Sequence, residues 1–327
     1  MERVRTVRKW SRRGLLALRL SLTAGVVLMV LMLIIGEFGR LVGLFDMTRH
    51  FQAQYFMCAV FALVLLILLR ANRAATIALL VASLTGFRVL PWYIGRPNPD
   101  DAAREQVVRV FLSNVLGWNH ETQAMLEQIR DEDPDIIVIQ EYRNHWEDAL
   151  ATLADRWPYA HGRLRSDAFG MLVLSKTPFD AEVRMFGVKE DSVVGTLTLH
   201  GESVSFLAIH PKPPKSRATS NRRDLLLRNV REHIGQPDGP TIVAGDFNAT
   251  MWSAPYQRFV RDTGLRNARQ GFGVLPTWPS QLPVVMRIPI DHVLVTRDIT
   301  VADFRIGDAC GSDHLPVIVD LILPESP

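Results

Sequence analysis

Gly245-Asp246-Phe247-Asn248 and Ser312-Asp313-His314-Leu315-Pro316 decide the reading of this chain. The first follows the apolar run Thr241-Ile242-Val243-Ala244, and the second precedes Val317-Ile318-Val319. Each sets carboxylates, with an amide or a histidine, at the end of a segment of strand character. Outward from these strings the same arrangement recurs. Asn114 ends the β-rich stretch that begins at Val107, Glu141 follows Ile137-Val138-Ile139-Gln140, His210 follows Leu207-Ala208-Ile209, and Asp291 opens His292-Val293-Leu294-Val295. The edges of apolar strands are where α/β folds build sites, because the sheet fixes such groups while the loops leave access. Taken singly, each is an ordinary turn former, a loop histidine or an Asx-type turn. Taken together they are the inventory for binding a hard divalent cation and hydrolysing a phosphate ester.

Strand and helix signals alternate around these positions. Val107–Val115, Asp135–Gln140, Gly170–Leu174, Thr241–Ala244, Ile290–Val295, Val301–Arg305 and Pro316–Leu323 read as strands. Val193–His200 and Val204–His210 flank the turn Gly201-Glu202-Ser203 and predict a hairpin. Glu121–Asp131, Trp146–Arg156, Ala218–Ile234 and Ala254–Asp262 read as helices. Hairpins mixed with β-α-β units argue for mixed sheets covered by helices. The sequence shows no internal repeat.

The order Asn, Gln-Glu, His, Gly-Asp-Phe-Asn, Ile-Asp-His, Ser-Asp-His-Leu-Pro resembles the endonuclease/exonuclease/phosphatase superfamily from about Val107 to Leu321. The resemblance implies a four-layer α/β sandwich, two mixed β-sheets flanked by helices. It also implies roles. Glu141 matches the metal-binding glutamate, with Asn114 beside it and Asp313 completing the site for Mg²⁺ or Mn²⁺. His314 takes a proton from the attacking water, and Asp291 orients its ring. Asp246 and Asn248 orient water and the scissile phosphate, and His210 donates to a phosphate or leaving-group oxygen. A carboxylate partner for His210 is not evident, Asp167 being only a positional candidate. Abasic-site enzymes carry a tyrosine where His210 stands and a second metal-proximal carboxylate where this chain has Leu116. Both departures argue against abasic-site repair.

Ahead of the catalytic domain, expected over 107–323 after a Pro- and Asp-rich linker at 97–106, residues 1–96 read as a membrane anchor. Apolar stretches at about 15–35, 51–69 and 74–94 are each long enough, at roughly 1.5 Å per residue, for a hydrocarbon core of about 30 Å. Trp10, Trp92 and Tyr93 sit where interfacial aromatics belong, and Arg88 is near enough to one end to snorkel. Arg3, Arg5, Arg8, Lys9, Arg12 and Arg13 precede the first stretch, and Arg70 and Arg73 fill the second link. The positive-inside rule puts both on the cytoplasmic face and the catalytic domain outside. A three-helix anchor before such a domain is similar to membrane-bound bacterial members of the superfamily, which implies a multi-pass protein of the bacterial cell membrane.

Net charge is sharply divided. Residues 1–97 hold 13 Lys/Arg against 3 Asp/Glu, and the remainder 24 against 31. A net-acidic catalytic part disfavours tight binding to a polyanion, so nucleic acid is the weaker partner. Tethering favours a substrate held in the membrane. The expected partners are therefore membrane lipids and a lipid-linked phosphate, with undecaprenyl pyrophosphate the specific candidate by the resemblance. A tethered nuclease or sphingomyelinase-like phosphodiesterase, and a non-catalytic membrane sensor, are the alternatives. Lys212, Lys215, Arg217, Arg222 and Arg223 form a basic strip, read either as a solvated face or as a head-group holder. Leu282-Pro283-Val284-Val285-Met286 reads either as a core strand or as a membrane-facing lip. The two cysteines, Cys58 and Cys310, lie in places that make a disulfide implausible.

Overall fold

The computed structural model describes residues 2–40, 43–97, 99 and 107–324 and divides into two compact units, Met1–Pro91 and Trp92–Pro327. Most of the expected linker, and the side chain of Trp10, lie outside the described residues.

Three helices are long and apolar enough to cross a membrane: Arg12–Glu37, Phe45–Leu68 and Asn72–Tyr93. The second begins as a 3₁₀ turn, Phe45–Phe51. Ala59, Ala62, Ala71, Ala74, Ala75, Ala78 and Ala82 are buried among these helices, so small residues let the backbones approach. Large apolar side chains such as Phe61, Leu68, Leu80 and Phe87 point outward, as lipid-facing residues do. Arg88 pairs with Glu37 at 2.8 Å and reaches Gln52 Oε1 at 3.2 Å.

The second unit holds two six-stranded mixed sheets. Its strands are β1 (Val108–Asn114), β2 (Ile136–Gln140), β3 (Tyr159–Arg163), β4 (Met171–Ser175), β5 (Phe179–Met185), β6 (Asp191–Leu199), β7 (Glu202–Ile209), β8 (Thr241–Asp246), β9 (Arg266–Asn267), β10 (Asp291–Val295), β11 (Thr300–Ile306) and β12 (Val317–Ile322). One sheet runs β11-β12-β1-β2-β4-β3 and the other β5-β6-β7-β8-β10-β9. Each has one parallel pair at its centre, β1 with β2 and β7 with β8. The β6–β7 hairpin forms as expected.

Side-chain alternation builds the layers. Val108, Val110 and Leu112 of β1, Ile136 and Val138 of β2, and Val317, Val319 and Leu321 of β12 point toward the other sheet. There they meet Val204, Phe206 and Ala208 of β7, Ile242 and Ala244 of β8, and Val293 and Val295 of β10. The opposite parity, Phe111, Ile137, Ile139 and Ile318, packs under Met125, Ile129, Trp146 and Leu150 of helices Gln123–Glu132 and Asn144–Ala151. Helices Arg217–Ile234 and Ala254–Thr263 follow β7 and β8. The result is the four-layer sandwich. Burying each such aliphatic side chain contributes about 1.5–3 kcal/mol.

Candidate active site

The catalytic candidates continue the inward-facing rows of the inter-sheet core. Asn114 is in phase with Val108, Val110 and Leu112, Asp246 with Ile242 and Ala244, Asp291 with Val293 and Val295, and His210 with Val204, Phe206 and Ala208. The layer is apolar along its length and turns polar where these strands end. Register then sets neighbours: Asp291 lies opposite Asp246 across the β10–β8 ladder, and Asn114 opposite Gln140 across β1–β2.

His314 lies between the paired carboxylates. Its Nδ1 is 3.0 Å from Asp291 Oδ2, and its Nε2 is 3.7 Å from Asp246 Oδ2. Burial pulls the imidazole pKa down, but Asp291 and Asp246 outweigh it and lift it to about 10. Burial conversely raises the Asp291 carboxyl, and His314 and the Thr277 hydroxyl bring it below its usual range. His210 Nε2 stands 3.6 Å from Asp246 Oδ2; burial lowers this ring and Asp246 raises it, with a net rise. Asp246 is thus a hub, whose Oδ2 also faces Asn114 Nδ2 at 3.4 Å and Asn248 Nδ2 at 3.2 Å.

Glu141 lies beside this hub on the other sheet. Its Oε2 accepts from Gly117 N–H at 2.8 Å and its Oε1 from Asn114 Nδ2 at 3.2 Å. Asn114 Oδ1 takes Leu116 N–H at 3.0 Å, so Asn114 turns its amide nitrogen, not its oxygen, to the two carboxylates. Asp313 accepts from Trp278 Nε1 at 3.0 Å. Glu141, Asp246 and Asp313 each offer carboxylate oxygen, the ligand type that a hard divalent cation takes. Ligand-capable atoms of Asp246, Asp291 and His314 also lie within 4.8 Å of one another. Within this trio His314 Nδ1 and Asp291 are hydrogen-bonded to each other.

Three of the seven described non-glycine residues with positive φ lie at the same end. Leu116, Glu141 and Asn248 adopt left-handed φ of 56°, 63° and 47° without being glycine, a cost of order 1–3 kcal/mol each that clusters at functional sites. Gly245 is required for a different reason, since a Cβ there would fall 1.9 Å from the Ile209 carbonyl oxygen.

Residues 108–314 match the model of the Endonuclease/Exonuclease/phosphatase family. The chain belongs to this family. Its members hydrolyse phosphoester bonds with a divalent cation. Solved structures of similar fold include TDP2 of D. rerio complexed with single-strand DNA product (17% identity, TM-score 0.56, covering 66% of this chain and 98% of that one). An endonuclease/exonuclease/phosphatase of Beutenbergia cavernae is 20% identical, with TM-score 0.54, covering 68% of this chain and 73% of its own. The 3' phosphatase NExo of Neisseria, bound to product DNA hairpin, is 20% identical, with TM-score 0.53, covering 65% and 98%. No curated protein sequence matches significantly.

Within the family frame, several sequence expectations change. Asp167 is not the partner of His210: its carboxylate is held by Arg165 at 2.6 Å. The His210 ring rests instead against Phe169, centroids 5.3 Å apart, and its buried Nδ1 has no hydrogen-bond partner among the described residues. The basic strip does not form one solvated face. Arg223 is fully buried, bonding Asp224 and the Asn248 carbonyl, and Arg222 pairs with buried Glu190 at 2.8 Å. Leu282–Met286 is no core strand, because Val284–Met286 forms an exposed 3₁₀ turn.

Three supporting roles escaped the sequence reading. Gln140 is fully buried, donates Nε2–H to Ile209 O at 2.7 Å and accepts Asp246 N–H at 2.8 Å, so one amide joins the two sheets at the site. Its inward parity with Ile136 and Val138 was the available signal. Arg269 is fully buried and donates to the Val274, Leu275 and Asp291 carbonyls at 2.6–2.7 Å. Ser312 donates to Asn114 O at 2.6 Å and accepts His314 N–H at 3.0 Å, bracing the histidine loop on β1.

Proposed function

We propose that this chain is a membrane-anchored, divalent-metal-dependent hydrolase of a lipid-linked phosphate ester or pyrophosphate, with its catalytic domain outside the cytoplasm. The observation that carries the chemistry is the buried His314–Asp291 pair with His210 and Asp246 at the same strand ends. The three membrane-length helices carry the substrate class, since tethering raises local concentration for a membrane substrate and does nothing comparable for a diffusing polymer. The arrangement of anchor and domain is similar to the teicoplanin-resistance protein VanJ of bacterial membranes, so undecaprenyl pyrophosphate is the first substrate to test and glycopeptide resistance the expected phenotype.

Glu141 and Asp313 would hold Mg²⁺ or Mn²⁺, with Asn114 steadying Glu141 through its amide. The ion, when bound, supplies charge neutralisation at a phosphate oxygen. His314 Nε2 takes a proton as water oxygen attacks phosphorus, and Asp291 stabilises the imidazolium from Nδ1. Asp246 and Asn248 orient the water and the phosphate. As the bond from phosphorus to the leaving oxygen breaks, protonated His210 gives that oxygen a proton.

The test is a substrate panel with the full chain in detergent micelles and Mg²⁺: undecaprenyl pyrophosphate, sphingomyelin, phosphoinositides, plasmid DNA and a simple phosphodiester. The lipid pyrophosphate should turn over fastest, and EDTA should abolish the activity until Mg²⁺ or Mn²⁺ is restored. Glu141→Gln, which keeps size and removes charge, should lose most of it. Degradation of DNA with the lipids untouched would transfer the reading to a tethered nuclease, which the DNA-bound neighbours favour. Full activity in EDTA would remove the metal mechanism.

A further inference from the structure

Four large apolar side chains stand in solvent within five residues: Leu282, Val284, Val285 and Met286 are 38%, 58%, 52% and 53% exposed. Contiguous apolar surface of this kind marks an interaction site. The turn's backbone indicates what kind. Leu282 N–H bonds Pro279 O, Met286 N–H bonds Pro283 O, and Arg287 N–H bonds Val284 O. Pro283 has no N–H to leave free. Arg287 folds back over the base of the turn, Nε to Leu282 O at 2.7 Å and Nη2 to Ser280 O at 2.8 Å. A surface that adds a partner strand offers main-chain groups. A segment that enters hydrocarbon must satisfy its own, and here the Leu282 and Met286 N–H groups and the Leu282, Pro283 and Val284 carbonyls are bonded within the loop while its side chains are apolar.

The turn is also fastened to the catalytic loop. Ser280 donates its hydroxyl to Ser312 O at 2.6 Å and its N–H to Asp313 O at 2.8 Å. Trp278 bonds the Asp313 carboxylate from within the same segment. A second apolar point follows Gly117, the residue that binds Glu141. There Trp118 is 69% exposed with the Arg143 guanidinium stacked 3.8 Å from its ring centre. Tryptophan with a basic neighbour is the composition of a bilayer-interface anchor.

We propose that Leu282–Met286 inserts into the interfacial zone of a lipid bilayer, with Trp118 as a second anchor, so that the catalytic strand ends meet the head-group layer. The catalytic consequence, entry of substrate from the membrane, rests on the lipid-linked substrate proposed above, whereas insertion is read out independently. In full-length protein carrying Cys58→Ala, Val285→Cys is labelled with the polarity-sensitive dye NBD and reconstituted in phosphatidylcholine–phosphatidylglycerol nanodiscs. Glu182→Cys, on the exposed edge strand β5, provides the aqueous reference. The Val285 probe should emit to the blue of the reference, be quenched by lipids spin-labelled near the head group, and resist iodide. Quenching by iodide but not by spin-labelled lipid would overturn the proposal. So would shielding from both, which would mean that protein covers the turn. The triple variant Val284→Ser, Val285→Ser, Met286→Ser should lose bilayer-presented substrate several-fold and keep its rate on a soluble phosphodiester. Insertion without turnover of any lipid in the panel would support the turn's role and sink the substrate reading alone.

Discussion

Gln140 offers the sharpest structural perturbation, because one side chain satisfies a main-chain acceptor and a main-chain donor of the opposite sheet. Gln140→Met keeps length and apolar volume and removes both bonds. Ile209 O and Asp246 N–H then lie in a fully buried place without their partner. Each buried group left unmade costs about 1–3 kcal/mol, so the pair should cost about 2–6 kcal/mol, offset in part by the better transfer of a thioether. A net loss of about 3 kcal/mol corresponds to a fall in Tm of roughly 6–12 °C for a domain of this size. Tryptophan fluorescence during heating of the full chain in detergent reads it. Gln140→Glu adds a second arm. An ionised glutamate accepts from Asp246 N–H but cannot donate to Ile209 O, and burial raises its folded pKa above the unfolded value. Its stability should therefore be worst at neutral pH and recover on acidification, as the protonated form regains a donor. A Tm loss below about 3 °C for Gln140→Met, or a Gln140→Glu deficit that does not shrink in acid, would show that the amide is not the clamp between the sheets.

The catalytic and topological readings give three further expectations. His314→Ala should lower kcat by roughly 10²–10⁴-fold, and His314→Ala with Asp291→Asn should be little worse than His314→Ala alone, since the two act as one unit; multiplying losses would break the assignment. Because His314 must be neutral to accept a proton and its carboxylate neighbours raise its pKa, the rate should rise with pH along a limb above the ordinary histidine midpoint of about 6.5. Asp291→Asn should move that limb to lower pH, and a limb that stays put would exclude this pair as the titrating base. Alkaline phosphatase fused after Pro327 should be active in a bacterial host, whereas a fluorescent GFP fusion with an inactive phosphatase fusion would reverse the proposed topology.

Most of the sheet architecture was legible because buried strands announce themselves. β1, β2, β4, β8, β10 and β12 are nearly continuous runs of branched and aliphatic residues, buried on both faces. β3 escaped: Tyr159-Ala160-His161-Gly162-Arg163 is a largely exposed edge strand with no apolar face to read. β5 escaped less excusably, since Phe179, Ala181, Val183 and Met185 alternate with Asp180, Glu182 and Arg184. Catalytic candidates at strand ends were visible as motif residues. Their supports were not: Arg269 stands in no motif, and the bracing role of Ser312, though it stands in one, depends on main-chain groups that only the folded loops bring near. Asp167 misled because sequence position does not reveal that Arg165, two residues away, already holds it.

The site also breaks the rules that the rest of the layer keeps. Like charges directly opposite in a ladder are destabilising, yet Asp246 and Asp291 are cross-strand partners at the polar end of the inter-sheet layer. Three left-handed, non-glycine residues, Leu116, Glu141 and Asn248, lie at the same end. Stability alone would favour apolar residues and relaxed turns here, so this concentration of charge and strain is the mark of function. Two histidines, whose pKa values the neighbouring carboxylates raise, offset that negative charge. Under the proposed function, a divalent cation held by Glu141 and Asp313 would add positive charge to the same surroundings and so favour the neutral histidines. Loading the ion and freeing His314 to act as a base would then be one linked equilibrium, and acid that protonates His314 should also weaken the hold on the metal.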